Sequence, residues 1–422
     1  AYRFYVLTHF LFFLSSLAFT QYHPQEWASI TSLLTPTGIQ VTSNDIVYLS
    51  TSGGLLQFDP TTEKFSAIKM EEGLVYLDLS TIEVDRKNRL WLGGSYPNGC
   101  LQVYEPDKGT VRKITHLDIA QISKIQIGED FAFAVYEGAT SSDIGILEFT
   151  LDSDGLPIYK DYFNNFSSGA PITDISDLDI LSDSIFVTTN AGIFSGNYKV
   201  DNLKTATEWE QIFTGTSAKQ FLPGTEPLII FDSSIFKREN NLWIEYYDFP
   251  SEGTYYCEKK IDGDSIDCAI DLDCSDYSDP ADPTKKLNLG FCGKKIIRAE
   301  KDEGLVKLLF DKSYYELENG ELTFSYENSV GNQDMEKNII GGKMKTEFTC
   351  FTYMENGNTL IGLNNYGILY MSAENNMSPI IFAPNTPFTN KYNAITVTSS
   401  GILAATTQLG SLVWDGEQYQ NY

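Results

Sequence analysis

The chain has 422 residues, of which 42% are hydrophobic and 13% aromatic, so it is long enough to bury a large core. Thirty basic and 57 acidic side chains give a formal net charge of −27 without a basic stripe, which argues against a nucleic-acid-binding surface. No run of about 18 apolar residues follows the N-terminus, so no transmembrane segment is expected in the mature chain.

The N-terminus has the pattern of an export signal. Arg3 supplies the basic start, Phe10 to Leu14 and Leu17-Ala18 form a short apolar core, and a cleavage site precedes Gln21. We expect residues 1–20 to be a signal peptide and the mature protein to be secreted, periplasmic or at the cell surface. A buried first strand is the alternative. The acidity of the chain favours solubility after export.

The stretch from Val47 to Phe65 predicts a β-hairpin. Val47 to Thr51 alternates with the period of two that is typical of a strand, and Leu55 to Phe58 forms the returning strand. Gly53-Gly54 between them gives the backbone freedom that a tight reversal needs. Asp59-Pro60 opens the polar turn that follows. Two strands alone are only marginally stable in water, so the hairpin must pack against other elements.

Versions of this hairpin recur about eight times along the chain. In the fifth, degenerate unit, the two predicted strands are Leu228 to Phe231 and Trp243 to Tyr247. The spacing is roughly 35 to 45 residues once an insertion is discounted, which is typical of four-stranded propeller blades. The eight units span Gly38–Gly73, Leu79–Asp118, Ile122–Phe166, Ile175–Thr214, Phe221–Phe249, Lys295–Tyr326, Phe348–Ala383 and Tyr392–Tyr422.

The repeat predicts an all-β fold, a β-propeller of seven or eight four-stranded blades with one disulfide-rich insertion. A β-sandwich is the alternative, but it would not repeat one hairpin signature. The segment from Trp27 to Thr31 has the pattern of the last strand of a blade, which would close a seven-bladed ring from the N-terminal side. We expect the propeller to span 21–384, and 385–422 to be either its final blade or the first blade of a second propeller.

The insertion at 251–293 interrupts the repeat and contains four of the six cysteines. In an exported protein such a cluster predicts disulfide bonds, and the sequence does not choose among the three pairings that four cysteines allow. A zinc site is the alternative, although no His lies nearby. Cys100 and Cys350 are expected to be either free and buried or paired across blades. The cysteines of the insertion are Cys257, Cys268, Cys274 and Cys292.

The same insertion is acidic. Asp271, Asp273 and Asp276 place carboxylates at alternate and near-alternate positions, and Ca²⁺ accepts such loops because it takes about six to eight oxygen ligands. The Gly and the distal Glu of an EF-hand are missing, so a solvated acidic loop is the alternative. Asp152 to Gly155 has a similar pattern that is more simply a hairpin turn. No cofactor is predicted apart from this candidate calcium site.

No catalytic residues are predicted. The three histidines, His9, His23 and His116, are not placed to cooperate, which argues against Ser-His-Asp and Cys-His catalysis. The GxSxG, P-loop and dinucleotide-binding motifs are absent. Cleavage of sugars by a carboxylate pair stays open, since no motif selects a pair among so many acidic residues. We expect the chain not to be an enzyme, with a polysaccharide lyase or hydrolase as an alternative.

Short motifs in the repeats resemble those of secreted bacterial propellers. Gly53 to Asp59 and Asn88 to Gly94 are similar to the repeat of two-component-regulator propellers. An N-terminal Trp strand, a propeller, the link from Asp201 to Trp209, and Pro384-Asn385-Thr386-Pro387 before a further blade together resemble the PorZ-like propellers associated with type IX secretion. The resemblance covers Trp27 to Tyr422. It implies a role in envelope scaffolding without catalytic residues.

We therefore expect an exported, non-enzymatic β-propeller that binds a protein or glycan partner in the cell envelope and acts as a scaffold, with a link to type IX secretion. The alternative is a sensor propeller of a two-component system that binds oligosaccharide outside the cell or in the periplasm.

Overall fold

A computed structural model of the chain describes most of residues 29–421, and nearly all of the described regular structure is antiparallel β-strand. A short 3₁₀ helix, Ala206–Glu208, lies in one loop. Within the described part of the chain, no helix is long and apolar enough to cross a membrane. The residues inside this range that are not described are 97, 116–118, 141–142, 167–168, 170, 216–217, 250–277, 280–281, 287–294, 303, 328–346, 375–378, 399–401, 409 and 417.

The strands form eight four-stranded sheets, each made from four consecutive strands in chain order. Sheet 1 contains β1 Pro36–Val41, β2 Val47–Thr51, β3 Gly54–Asp59 and β4 Lys64–Ile68. Sheet 2 contains β5 Leu79–Val84, β6 Leu90–Gly94, β7 Cys100–Glu105 and β8 Gly109–Thr115. Sheet 3 contains β9 Ile119–Ile127, β10 Phe131–Gly138, β11 Ile144–Leu151 and β12 Pro157–Phe163. Sheet 4 contains β13 Ile175–Leu181, β14 Ser184–Thr189, β15 Gly192–Asn197 and β16 Glu210–Thr214.

Sheet 5 contains β17 Ala218–Leu222, β18 Leu228–Phe231, β19 Ser234–Glu239 and β20 Leu242–Asp248, and a two-stranded ribbon, β21 Ser278–Asp279 and β22 Asp282–Lys286, follows it. Sheet 6 contains β23 Ile296–Asp302, β24 Leu305–Phe310, β25 Ser313–Glu318 and β26 Glu321–Glu327. Sheet 7 contains β27 Phe348–Tyr353, β28 Thr359–Leu363, β29 Gly367–Met371 and β30 Ile380–Phe382. Sheet 8 contains β31 Tyr392–Val397, β32 Leu403–Thr407, β33 Gly410–Trp414 and β34 Tyr419–Asn421.

The predicted hairpin at the start of the repeat forms as expected, with Thr51 opposite Gly54 across a two-residue loop. The Thr51 hydroxyl donates to the carbonyl oxygen of Gly54 at 2.8 Å and accepts from the N–H of Gly53 at 3.1 Å. Gly54 has a φ of 132°, and a Cβ added there would lie 2.9 Å from the carbonyl oxygen of Ile68. This Thr-x-x-Gly turn recurs at Thr189, whose hydroxyl donates to Gly192 at 2.9 Å. The turn chemistry therefore explains why the same signature repeats.

The prediction for the fifth unit was incomplete. Trp243 to Tyr247 lies in β20, the fourth strand of its sheet, and the third strand is β19, Ser234–Glu239. This strand ends in Lys237, Arg238 and Glu239, and its turn with β18 has no glycine. The strand forms because Ile235, which is fully buried, packs into the core while the charged end stays at the surface.

Over the described residues, the hydrophobic core is divided into seven clusters, and each cluster lies between two neighbouring sheets. The cluster that closes the ring joins sheet 7 to sheet 1, where Leu360 and Ile368 pack with Val47 and Leu49. The first strands of these two sheets, β27 and β1, lie side by side. The chain is therefore a β-propeller whose ring closes after seven blades, and we refer to sheets 1 to 7 as blades 1 to 7.

Sheet 8 lies beside this ring. Among the described residues, none of the seven core clusters includes a residue of sheet 8. Hydrogen bonds hold it to the segment 29–35, since Asn390 accepts from the Ser32 N–H at 2.5 Å and the Tyr392 hydroxyl donates to the Ile30 carbonyl at 3.4 Å. Ile395 and Val397 on its first strand are 58% and 63% exposed. The first strand of sheet 8 therefore exposes apolar side chains on the face that is buried in the first strands of the ring blades.

The predicted closing strand at the N-terminus does not form over its described residues. Ser29, Ile30 and Thr31 are not in a strand, while Trp27 lies outside the described residues. The segment instead packs against blade 1, where the Thr31 hydroxyl donates to the Gly53 carbonyl at 2.5 Å. Because every blade already has four strands of its own, no place remains for an added outer strand.

The first strand of every sheet has an irregular register near its second residue, for example between Pro36 and Gly38 and between Ile175 and Asp177. Such a β-bulge bends a strand and redirects the side chains around it. At three of these bulges a hydroxyl reaches the next blade: Thr37 donates to the Leu79 carbonyl at 3.0 Å, Ser80 to the Ile122 carbonyl at 2.5 Å, and Ser176 to the Ala218 carbonyl at 3.2 Å. The bulges therefore both bond neighbouring blades and shape the centre of the ring.

Candidate functional site

The strongest candidate site is a cavity of about 190 Å³ at the centre of the ring. Its wall is formed by the bulged ends of the seven first strands, β1, β5, β9, β13, β17, β23 and β27. The polar and charged residues in its lining are Thr37, Thr81, Ser123, Lys124, Ser176, Asp177, Lys219, Gln220, Arg298, Thr349 and Cys350.

Two side chains at the cavity wall bond to the blades beside them. Asp177, which is 2% exposed, forms an ion pair with Lys124 of blade 3. Gln220 of blade 5 accepts a hydrogen bond from the backbone N–H of Ala299 in blade 6 at 2.7 Å. These contacts fix Lys124 and Gln220 in place from the neighbouring blade, so the site is preorganised by the closed ring.

Several acidic side chains lie near Lys124 and Arg298, two of the cations that line the central cavity. Glu83 of blade 2 accepts a hydrogen bond from the side-chain amide of Gln40 at 3.0 Å. The Nε atom of Arg298 lies 2.9 Å from a carboxylate oxygen of Glu300. The charged groups therefore come from at least four blades, and they interact electrostatically across the ring axis.

Burial perturbs the ionisation of this group of residues. Burial raises the pKa of Glu83 to about 7, even though Arg298 favours its charged form. Burial, followed by repulsion from Arg298, lowers the pKa of Lys124 to about 8. Burial also raises the pKa values of Asp179 and Glu300. Removal of charge from water is thus the main energetic term at the ring centre, and nearby opposite charges offset it only in part.

A second set of interactions explains the motif from Asn88 to Gly94. Asp85 accepts from the Arg89 Nε at 2.6 Å and from the Trp91 indole N–H at 3.2 Å. Arg89 also donates to the carbonyl oxygens of Asp154 and Gly155 in blade 3, at 2.9 and 2.8 Å. The arginine therefore ties the turn of one blade to the turn of the next, and this motif stabilises the fold.

The predicted turn at Asp152 to Gly155 is present. Asp152 accepts from the backbone N–H groups of Asp154 and Leu156, each at 2.9 Å, which is the side-chain bonding of an Asx turn. Arg112 pairs with the second carboxylate oxygen of Asp152 at 2.7 Å. The Asp152 carboxylate therefore stabilises the hairpin turn, as the sequence suggested.

Most of the residues predicted to form a site fall in the insertion, outside the described residues. This holds for the calcium candidates Asp271, Asp273 and Asp276, and the calcium site stays a prediction. It also holds for the four cysteines expected to form disulfides, Cys257, Cys268, Cys274 and Cys292.

Of the two remaining cysteines, Cys100 and Cys350 are both free and buried, which was one of the two expected arrangements. Burial raises the pKa of the Cys100 thiol to about 12 and that of the Cys350 thiol to about 11, so both stay protonated. Over the described parts of the chain, no group of three or more His, Cys, Asp or Glu residues is arranged to hold a metal ion.

Lys124, Gln220 and Arg298 are not among the site residues predicted from the sequence. A signal was available, because Lys124 is the one charged residue of β9, and Arg298 directly follows Ile296 and Ile297 in β23. That these two residues share one site is visible only in the closed ring, however, since Lys124 belongs to blade 3 and Arg298 to blade 6. Sequence spacing alone does not bring them together.

Comparison with known proteins identifies the fold. No family model and no curated protein matches the chain. Among solved structures, PorZ of Porphyromonas gingivalis, described as an essential bacterial surface component of the type IX secretion system, superposes with a TM-score of 0.59 at 12% sequence identity. The match covers 94% of this chain and 46% of PorZ, so the chain spans about half the length of that protein. A likeness at this identity is a likeness of fold.

Two further solved structures match less closely. The extracellular domain of the putative one-component system BT4673 from B. thetaiotaomicron has a TM-score of 0.35 at 13% identity, covering 94% of this chain and 62% of that domain. Hsv2 of Kluyveromyces lactis has a TM-score of 0.43 at 10% identity, covering 80% of this chain and 92% of Hsv2.

Proposed function

We propose that this chain is an exported, non-enzymatic β-propeller that acts as a protein-binding scaffold in the cell envelope and takes part in type IX secretion. The observation that carries the proposal is the uncovered first strand of sheet 8. Ile395 and Val397 are 58% and 63% exposed there. In the ring, by contrast, the first strand of each blade packs against a neighbouring blade. An exposed apolar strand beside a stable ring is suited to packing against another protein surface.

The likeness of fold to PorZ gives the reason for naming type IX secretion, because PorZ is described as a surface component of that system. In this proposal 1–20 is a signal peptide, 21–384 forms the ring and 385–422 is a further blade whose first strand contacts the partner protein. The chain then contributes shape and contact surface to an envelope assembly.

Site-specific photo-crosslinking in the encoding bacterium tests the scaffold function. A photoreactive residue at Val397 is expected to give a discrete adduct with an envelope protein. The matched control is Val200, which is 77% exposed on blade 4 and lies away from sheet 8. The same adducts at both positions, or none at Val397, contradict the proposal.

A gene deletion tests the secretion pathway itself. If the protein takes part in type IX secretion, cargo proteins are expected to accumulate in the periplasm of the deletion strain and to return to the cell surface on complementation. Normal cargo display in the deletion strain rules out the link to type IX secretion and leaves the scaffold function to the crosslinking result.

An oligosaccharide-sensing function is the second candidate, and one observation favours it. Tyr159 and Tyr162 on β12 are 42% and 45% exposed, and the ammonium group of Lys204 lies 5.7 Å from the ring centre of Tyr162. Exposed aromatic rings beside charged groups are suited to stacking on sugar rings. Binding on a glycan array that is lost in Tyr162→Ala supports the sensor and counts against a purely protein-binding scaffold.

A further inference from the structure

The residues that line the central cavity include more cations than carboxylates, although Glu83, Asp179 and Glu300 lie close enough to act on those cations. The chain carries a formal net charge of −27, yet the cavity lining contains three cationic side chains, Lys124, Lys219 and Arg298, and one carboxylate, Asp177. Asp177 already contacts Lys124, and Lys219 lies 3.2 Å from Asp232. Arg298 contacts Glu300 through its Nε atom, and a guanidinium has further N–H groups that can donate to a ligand.

Two donors in the lining lack acceptors. Gln220 is 8% exposed, and its amide oxygen is used by the Ala299 N–H, which leaves the NH₂ group without a partner among the described residues. The Nε of Arg298 is enclosed and makes no well-aligned hydrogen bond within the described chain, although Glu300 is near. Buried donors are normally satisfied, so the enclosed Nε of Arg298, together with the Gln220 NH₂ group on the same cavity, points to an acceptor that binds there.

The electrostatics of the cavity agree with this. Burial lowers the pKa of Lys124 and repulsion from Arg298 lowers it further, while Asp177 is the direct ion-pair partner of the lysine. Asp179, Glu83 and Glu300 act in the opposite direction, each with a smaller effect than Arg298. Two cations that repel across a cavity are stabilised when an anion binds between them.

We propose that the central cavity binds a small carboxylic acid, with its carboxylate held by Arg298 and the Gln220 amide and its hydroxyl groups facing Thr81, Ser123 and Ser176. Guanidinium groups match carboxylates with two parallel hydrogen bonds. Ser176 already donates to a backbone carbonyl and is left as an acceptor for a ligand hydroxyl. The ligand class is therefore a hydroxylated acid, such as a sugar acid.

The size of the cavity agrees with such a ligand. Its volume of about 190 Å³ is several times the roughly 30 Å³ that one water occupies in the liquid, so it has room for a small organic acid. The same carboxylate chemistry is offered by a free sugar acid and by the terminal uronate of a polymer. This inference does not depend on the scaffold function, since it concerns the ring axis and not sheet 8.

Titration calorimetry of the mature protein with sodium glucuronate tests the proposal, with glucose and sodium chloride at matched ionic strength as controls. Binding is expected for glucuronate alone. Arg298→Met and Gln220→Leu are each expected to weaken it by about tenfold or more, while Arg86→Met, at an arginine that is 80% exposed, leaves it unchanged. Gln220→Leu decides the result if Arg298→Met fails to give the wild-type circular dichroism spectrum.

Three outcomes overturn the proposal: no binding of glucuronate at about 10 mM, equal binding of glucose, or wild-type affinity in the folded Gln220→Leu variant. An oligosaccharide that ends in a uronate distinguishes the two sources of ligand. If it competes with glucuronate, a polymer terminus enters the cavity; if it does not, the ligand is the free acid.

Proton uptake gives a second readout that a merely structural role would not produce. The pKa of Lys124 is about 8, and a bound carboxylate raises it because it adds a negative charge near the ammonium. Binding near pH 8 is therefore expected to take up protons, measured as a dependence of the binding heat on the buffer, with less uptake at lower pH. Glucuronate binding without proton uptake near pH 8 would locate the ligand elsewhere and overturn the assignment to this cavity.

Discussion

Removal of the Arg89 side chain is expected to destabilise the ring strongly. The Asp85–Arg89 pair is nearly inaccessible to water, with both side chains 7% exposed and the Nε–carboxylate distance 2.6 Å. Arg89→Met deletes this contact and the two hydrogen bonds to the blade 3 turn, at 2.9 and 2.8 Å, while it keeps most of the apolar stem. Asp85 then remains as a buried carboxylate without its cation.

The expected magnitude follows from these contacts. Loss of one partner of a buried, hydrogen-bonded ion pair costs about 3–5 kcal/mol, largely because the other charge is left uncompensated. The backbone N–H groups of Lys87 and Arg89 and the indole of Trp91 still donate to Asp85, which favours the lower end of that range. We therefore expect the free energy of unfolding to fall by about 3 kcal/mol.

The matched control is Arg86→Met, three residues away on the same turn. Arg86 pairs with Glu129 at 3.2 Å, but the two side chains are 80% and 75% exposed, so the loss is expected to stay below about 1 kcal/mol. Urea unfolding followed by fluorescence and by circular dichroism measures both variants, and coincident curves establish that one transition is observed. Equal midpoints for Arg89→Met and Arg86→Met would refute the reasoning.

Two further predictions concern ionisation and crosslinking. Because burial raises the pKa of Glu83 from 4.5 to about 7, the folded state binds more protons than the unfolded state between these values, and stability falls as pH rises through that window. Glu83→Gln, which stays neutral, should flatten the pH dependence of the urea midpoint there, and parallel curves would contradict this. A reducing agent should lower the melting temperature, since a disulfide contributes about 2–4 kcal/mol. Because Cys100 and Cys350 are free, replacing the four cysteines of the insertion by Ser should abolish this effect; an unchanged melt of the wild type would contradict the predicted disulfides.

The sequence by itself determined the local β-structure and the fold class. The Thr-x-x-Gly turn at Thr51, the Asx turn at Asp152 and the period-two strands beside them depend on residues a few positions apart, so their chemistry is readable without the fold. Repetition of one hairpin predicted four-stranded blades because a single blade cannot bury both of its faces. The third strand of blade 5, Ser234–Glu239, was missed because its charged end hides the strand pattern.

Only the tertiary structure decided how the ring closes and where its site lies. Sheets 7 and 8 have similar local patterns, but Leu360 packs against Leu49 across more than 300 residues of chain, and this contact closes the ring at seven blades. The central cavity likewise brings together Lys124 and Arg298 from blades 3 and 6. Their interaction depends on burial and distance, which are properties of the closed ring; the sequence contains the residues but not their separation in space.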